Sequence, residues 1–467
     1  MTSEMQEIIE GQAKMTLEKS VFYNPVQEFN RDISIACITQ YQKTLNKDIH
    51  IFEGLSATGL RSIRYAKEIP NVSKITTNDL DKDAFKTIQE NVVKNNVQDI
   101  ITPSLNDANV AMLQNKNMFD VIDLDPYGSV IPFVDAAIQS IKNGGLLCVT
   151  CTDMTVLGGS YLETSYAKYG GTTLKGKFCH EMALRLVLHA LESSATRYKR
   201  VIVPLMSCSI DFYVRVFVIV KESPKDTKLS CTKTSMVGLC SGCHYYRLQP
   251  LGVVNENRTK FSNSRCVLPS KCTFCDFPLH IGGPIYSADI HNQEFVVNLL
   301  DALKDESSAQ RFKTHKRMLG MVSVISEELN QPLYYDLSQL SSTIKVSTIP
   351  VMLFNSALLN EGYKVSSTHC SKTGFKTDAP MDLIWYVLKS WALKQPNYDI
   401  KKFEEQKSSP GKNIMNFNFI YDSEVNFEKH ELANPSSRIK GLTRYQMNPT
   451  KNWGPGAKPT KKLKKDE

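Results

Sequence analysis

Two periodicities alternate along the first half of the chain. Residues 48–53 read as a strand through Ile49 and Ile51, and residues 59–66 as a helix. A short strand follows at 74–77, then a helix over 83–95 with Phe85, Ile88 and Val92 on one face. Residues 119–124 and 146–150 read as strands, and 180–193 as a helix with Leu184, Val187, Leu188 and Leu191 at core spacing. Strands at 201–206 and 212–220 close the set, and their short connection at 207–211 permits a hairpin and forbids a helical crossover. The alternation predicts an α/β domain with a mostly parallel, doubly wound sheet. The character changes near 221–225, where hydrophobic strands give way to a Cys-rich, polar stretch. A helical region is expected over 292–329, with a basic cluster at Arg311, Lys313, His315, Lys316 and Arg317 that is ordinarily a solvated face. Residues 332–377 suit a helix followed by a hairpin. The end, 448–467, is rich in Pro, Gly and Lys and reads as a disordered basic tail.

In such sheets ligands bind outside the carboxyl ends of the strands. Four polar stations occupy those ends here. Glu53-Gly54-Leu55-Ser56-Ala57-Thr58-Gly59 gives small residues before a helix N-terminus, but not the G-x-G-x-x-G dinucleotide fingerprint. An adenosyl ligand without a pyrophosphate fits better. At the second station Asp79 suits ribose hydroxyls and Asp81 suits a helix cap. At the third, Asp107 can accept an adenine amino group while the Ala108 N–H donates to the ring. The fourth is Asp125-Pro126-Tyr127-Gly128. A carboxylate and a proline carbonyl there can accept both N–H bonds of an amino group on a flat ring, and the aromatic side chain can stack on it. A Pro-initiated turn alone would look the same. Four stations in order argue for a site.

Composition narrows the class. The 467 residues exceed one typical core, and 42% hydrophobic with 22% charged is ordinary for a globular protein. No apolar run approaches the roughly 20 residues that span a bilayer. Residues 1–10 carry acids and no apolar run, so no secretory signal is expected. The 12 cysteines are scattered, which favours a reducing, intracellular setting. A net charge of +8 hints at a polyanionic partner. Cys240-Ser241-Gly242-Cys243 and Cys272-Thr273-Phe274-Cys275 form two C-x-x-C knuckles suited to a tetrahedral structural zinc. Their spacer exceeds the common pattern of about 15–20 residues, and His244 and Cys266 are substitute ligands.

These motifs together resemble the tRNA guanine-26 N2-dimethyltransferase family. The resemblance rests on Val21-Phe22-Tyr23-Asn24-Pro25, Asn30-Arg31-Asp32, Leu55 to Arg61, Asp107-Ala108-Asn109, Asp123 to Gly128 and Thr150-Cys151-Thr152-Asp153. Cys179-His180-Glu181, Pro332-Leu333-Tyr334-Tyr335-Asp336, Thr368-His369 and Asn452-Trp453-Gly454-Pro455 extend it over nearly the whole chain. It implies a class I (Rossmann-like) methyltransferase domain at 1–225, an α+β tRNA-binding domain at 226–447 carrying the zinc knuckles, and the tail. It implies S-adenosylmethionine as cofactor and tRNA as partner. Carried over by position, Arg31, Arg61, Asp79, Asp107 and Ala108 would touch the cofactor. Asp125 would be the catalytic carboxylate, with Pro126 beside it, and Phe22 and Tyr127 would hold the guanine. Many members have phenylalanine where this chain has Tyr127; a tyrosine still stacks. A DNA-adenine or protein-glutamine amino-methyltransferase and a non-catalytic tRNA-binding module are the alternatives. A monomer is expected, in the nucleus if the Lys-rich tail is a targeting signal, with cytoplasmic or mitochondrial pools as other options.

Overall fold

The computed structural model describes residues 5–18, 23–257, 259–403, 408–421 and 423–445. Phe22 and the tail 448–467 lie outside the described residues. An N-terminal hairpin, β1 (Met5–Glu10) and β2 (Ala13–Glu18), precedes α1 (Glu28–Leu45). Then come β3 (Ile49–Glu53), α2 (Leu60–Glu68), β4 (Val72–Asp79), α3 (Lys82–Lys94), β5 (Ile101–Leu105), α4 (Ala108–Gln114), β6 (Phe119–Leu124), α5 (Ile131–Ser140) and β7 (Ile141–Cys151). Helices α6 (Met154–Leu157), α7 (Leu162–Tyr169) and α8 (Cys179–Arg197) lead to the pair β8 (Arg200–Ile210) and β9 (Tyr213–Glu222).

The seven strands order as β5-β4-β3-β6-β7-β9-β8. All neighbours up to β7 are parallel, and β9 runs antiparallel to both β7 and β8. Pleating sends successive side chains to opposite faces. Ile51, Val121, Leu146 and Phe217 enter one core with α1, while Phe52, Ile122, Leu147 and Val216 enter the other with α8. Strand β6 is buried along its whole length, as a central parallel strand must be. The expected alternation is therefore observed, with strands β4, β7, β8 and β9 longer than their apolar runs.

Helix α1 has no counterpart among the periodic segments. It is buried nearly all round, and its buried set includes Glu28, Asn30, Arg31 and Asp32. A helix without an exposed face loses the amphipathic signature. The β8–β9 connection is also tighter than read: Asp211 and Phe212 alone form the turn, with Asp211 in the left-handed region at φ 46°.

Beyond residue 225 a second antiparallel sheet forms from β10 (Thr234–Cys240), β11 (Tyr246–Pro250) and β14 (Leu279–Tyr286), with a small hairpin of β12 (Gly252–Val254) and β13 (Phe261–Asn263) between them. Val237, Leu239 and Ile285 pack into the α8 core. The 292–329 region breaks into α9 (Gln293–Lys304), α10 (Glu306–Arg311) and α11 (His315–Glu327), whose Leu299, Met318 and Val322 join the α1 core. A third core gathers β15 (Tyr335–Asp336), α12 (Leu337–Thr343), α13 (Val351–Asn360), the hairpin β16 (Val365–Thr368) and β17 (Ser371–Thr377), and α14 (Met381–Leu393) around Trp385, against the four knuckle cysteines. Segments after 225 thus contribute to all three cores. No helix among the described residues is long and apolar enough to cross a membrane.

Candidate active site

The carboxyl ends of β3, β4 and β6 open into a cleft of about 480 Å³. Strand order reverses there, so the loops after β3 and β6 diverge and leave space. The turn after β3 packs tightly onto the end of β6. A β-carbon on Gly54 would lie 2.8 Å from Leu124 Cδ2, and Gly59, which starts α2, has φ +77°. The Ala57 N–H donates to Asp79 Oδ2 at 2.7 Å, fastening this turn to the end of β4. Asp81 caps α3 through the N–H groups of Asp83 and Ala84, as expected, and both Asp79 and Asp81 line the cleft.

Asp125, Pro126 and Tyr127 face the same cleft, as do Arg31 and Arg61. Tyr127 is 60% exposed, and its turn is held by mutual bonds between Gly128 and Thr152 at 2.7 and 2.8 Å. Asp125 Oδ2 is in close contact with Arg61 Nη2, while Oδ1 has no hydrogen-bond partner among the described residues. Arg61 is buried and also lies 3.7 Å from Asp123 Oδ2 and 3.8 Å from Glu53 Oε1. Arg31 is clamped by Glu10 at 2.5 Å, which leaves its Nη1 without a partner among the described residues. Asp107 and Ala108 stand one strand further out and are not in the cleft lining. Asp107 caps α4 through Asn109 N (2.8 Å) and Val110 N (3.2 Å), a local use that the sequence reading did not assign.

Several groups that shape the cleft carry no local motif. Asp123 lies two residues before Asp125, held by the two Arg215 Nη atoms at 2.8 Å and by Tyr65 Oη at 2.5 Å. Burial works against its ionisation, but Arg215 and Arg61 outweigh burial and hold its carboxyl below the usual range. Glu53 goes the other way: burial pushes it up to about 7 against Arg61 and Ser62. Tyr23 and Phe212 add aromatic surface to the lining. The apolar run places Phe212 in a strand, whereas the structure puts it in the two-residue turn, from which it lines the cleft.

A second cluster brings the four knuckle cysteines together, with all four sulfurs within 4.8 Å of one another and buried. Cys240 and Cys275 sulfurs are 3.3 Å apart, and those of Cys243 and Cys272 3.6 Å. The N–H groups of Gly242 and Cys243 point at Cys240 Sγ at 3.4 Å. His244 and Asp276, the residues after each knuckle, both turn through left-handed backbone at φ 61° and 60°. The long spacer is taken up by β11 and the β12–β13 hairpin. His244 is not part of the cluster, and Cys266 is exposed away from it.

A Rossmann-like sheet with an acidic station at β4 and an Asp-Pro-Tyr strand end at β6 defines a class I methyltransferase. A protein-family model described as N2,N2-dimethylguanosine tRNA methyltransferase matches residues 3–389. The chain belongs to this family. It is 41% identical to the tRNA (guanine(26)-N(2))-dimethyltransferase of Schizosaccharomyces pombe, covering 95% of this chain and 90% of that protein. It is 40% identical to the human protein of the same name, over 97% of this chain and 78% of that one. A Saccharomyces cerevisiae relative, 40% identical over 96% of this chain and 91% of its own, carries that name with the word mitochondrial. The structure of Trm1 from Pyrococcus horikoshii with S-adenosyl-L-methionine superposes with a TM-score of 0.71 at 28% identity, over 82% of this chain and 99% of that one.

Proposed function

We propose that this protein transfers one or two methyl groups from S-adenosylmethionine to the exocyclic N2 of guanine 26 in tRNA. The observation that carries the reading is one cleft lined by Asp79, Arg31, Asp125, Pro126 and Tyr127 together. The adenine and non-catalytic alternatives find no support in the relatives.

The residues fit the cofactor. Asp79 offers acceptors for ribose hydroxyls, and Arg31 has an Nη1, without a partner among the described residues, for a carboxylate. Arg61 lines the same cleft, and Asp107 and Ala108, one strand outside that lining, complete the proposed contact set. When bound, S-adenosylmethionine supplies an electrophilic methyl on a sulfonium. The guanine amine is a poor nucleophile because its lone pair is delocalised into the ring. Asp125 Oδ1 and the Pro126 carbonyl accept its two N–H bonds and turn the lone pair out of conjugation. Such orientation contributes several kcal/mol. Arg61 holds the other carboxylate oxygen, so Asp125 cannot swing away, and Asp125 takes the departing proton. Tyr127 stacks on the base, with Phe22 the proposed opposite wall. Stacking at roughly 1–3 kcal/mol per base offsets the few kcal/mol needed to extrude the guanine.

The four cysteines fit a structural zinc. Four thiolates at about 2.3 Å from one ion lie a little under 4 Å apart, close to the spacings found. The ion would tie β10 and β14 to the α14 core. The Lys-rich tail supports a nuclear location and the yeast relative's name a mitochondrial pool; a monomer remains the working assembly.

Asp125→Ala, assayed with labelled cofactor on unmodified tRNA, should lose at least about 100-fold in turnover while still binding S-adenosylmethionine. Wild-type turnover would sink the catalytic role. Nucleoside mass spectrometry of the wild-type product identifies the modified atom.

A further inference from the structure

A second cleft, of about 1230 Å³, lies beside the first. Its walls are the β1–β2 turn, the start of α1, and the α10–α11 segment that carries the basic cluster. The two clefts share one partition. Gln27 and Arg31 face the active-site cleft, while Val26, Glu28, Phe29 and Asp32, on the same segment, face the second.

The second cleft carries unbalanced positive charge. Its acidic groups are claimed: Asp32 pairs with Arg64 at 2.7 Å and accepts from Thr314 Oγ1 at 2.6 Å. Arg317 is buried and spent on Asp211, with two bonds of 2.9 Å. Arg311 lies over the Phe312 ring at 4.8 Å, donates to the Glu68 carbonyl, and meets no carboxylate among the described residues. Lys316 is exposed and makes no ion pair among the described residues. Lys313 is 79% exposed and its one ion pair among the described residues is with Glu28, at 3.2 Å. Its ammonium carries three donors, so it can take a further anion on the solvent side while it keeps the buried Glu28.

We propose that this cleft seats the phosphodiester backbone of tRNA next to the extruded guanine, with Arg311, Lys313 and Lys316 as its phosphate contacts. The inference rests on the tRNA methyltransferase reading. A nucleotide whose base enters the first cleft must pass its backbone over the partition, and the second cleft is where neighbouring phosphates then fall. Lysine and arginine contacts of this kind set position and affinity and read no sequence.

The test uses full-length protein carrying Lys316→Glu, and separately Lys313→Gln with Lys316→Gln. Binding of unmodified tRNA is measured across a salt series, with S-adenosylmethionine binding in parallel. Both variants should bind tRNA about tenfold more weakly near 0.1 M salt, and the log–log salt slope should flatten by about one for each lysine removed. Cofactor binding should match wild type. Wild-type affinity and slope in both variants would overturn the proposal, as would weaker binding with an unchanged slope. Failure of the wild-type protein to methylate tRNA would instead strike the underlying reading, independently of the variants.

Discussion

Replacing Glu10 by Gln tests how the N-terminal hairpin supports the cleft. Glu10 is 1% exposed, ends β1, and accepts two bonds from Arg31 at 2.5 Å, one from Arg64 at 2.9 Å and one from Tyr23 Oη at 2.9 Å. Burial opposes its ionisation, but Arg31 and then Arg64 outweigh it and bring the carboxyl from 4.5 down to about 2. A drop of that size corresponds to roughly 3 kcal/mol of native-state preference for the charged form. Removing one partner of a buried pair independently costs about 3–5 kcal/mol. The variant should therefore lose about 3 kcal/mol at pH 7 by urea unfolding, and its KM for S-adenosylmethionine should rise because Arg31 loses its brace. The sign with pH follows from the depressed value. The stabilisation is present in full above 4.5 and is lost as pH falls toward 2. The gap between wild type and variant should shrink by about half by pH 3. A loss under about 1 kcal/mol at pH 7, or a gap that stays constant down to pH 3, would refute the account.

Two further outcomes follow from the geometry. Phe212→Ala removes an aromatic wall of the cleft from a turn that contributes little core; the KM for tRNA should rise about 5- to 100-fold, the range of one lost stacking contact, with little change in melting temperature, and an unchanged KM excludes base contact. Cys272→Ser should reduce bound zinc below half an equivalent by metal analysis and lower the melting temperature, whereas wild-type protein free of zinc with four titratable thiols would dismiss the metal.

The strand ends were legible because parallel strands announce themselves by apolar runs, and the residue that follows each run must face the ligand edge. That logic pointed to Asp79 and Asp125 as strand-end residues, and it separated Asp79 from Asp81 because the helix that starts right after Asp81 demands a cap. The cysteine knuckles were legible because their ligand geometry is local. What escaped was built by distant partners. Glu10 meets Arg31 and Arg64, and Asp123 meets Arg215 across 92 positions, with nothing near either residue to announce the pairing. Helix α1 escaped for the opposite reason, since burial on every side removes the contrast that periodicity reads.

The basic cluster on α10 and α11 shows where composition alone stops. Five neighbouring cationic or titratable residues suggested one solvated face, yet the structure divides them. Arg317 is buried, lies 4.3 Å over the Phe29 ring and grips Asp211, the residue that turns β8 into β9 and precedes Phe212. Lys313 and Lys316 point to solvent two and five residues after Arg311. Arginine's planar fork suits the buried bidentate bond, and lysine's compact, hydrated charge suits a displaceable phosphate contact. One helix start therefore serves both clefts: its arginine fixes the turn that carries an aromatic wall of the first, and its lysines leave the second positively charged. The second half of the chain shapes the active site by packing against it, and charge counted along the sequence cannot reveal which residue does which.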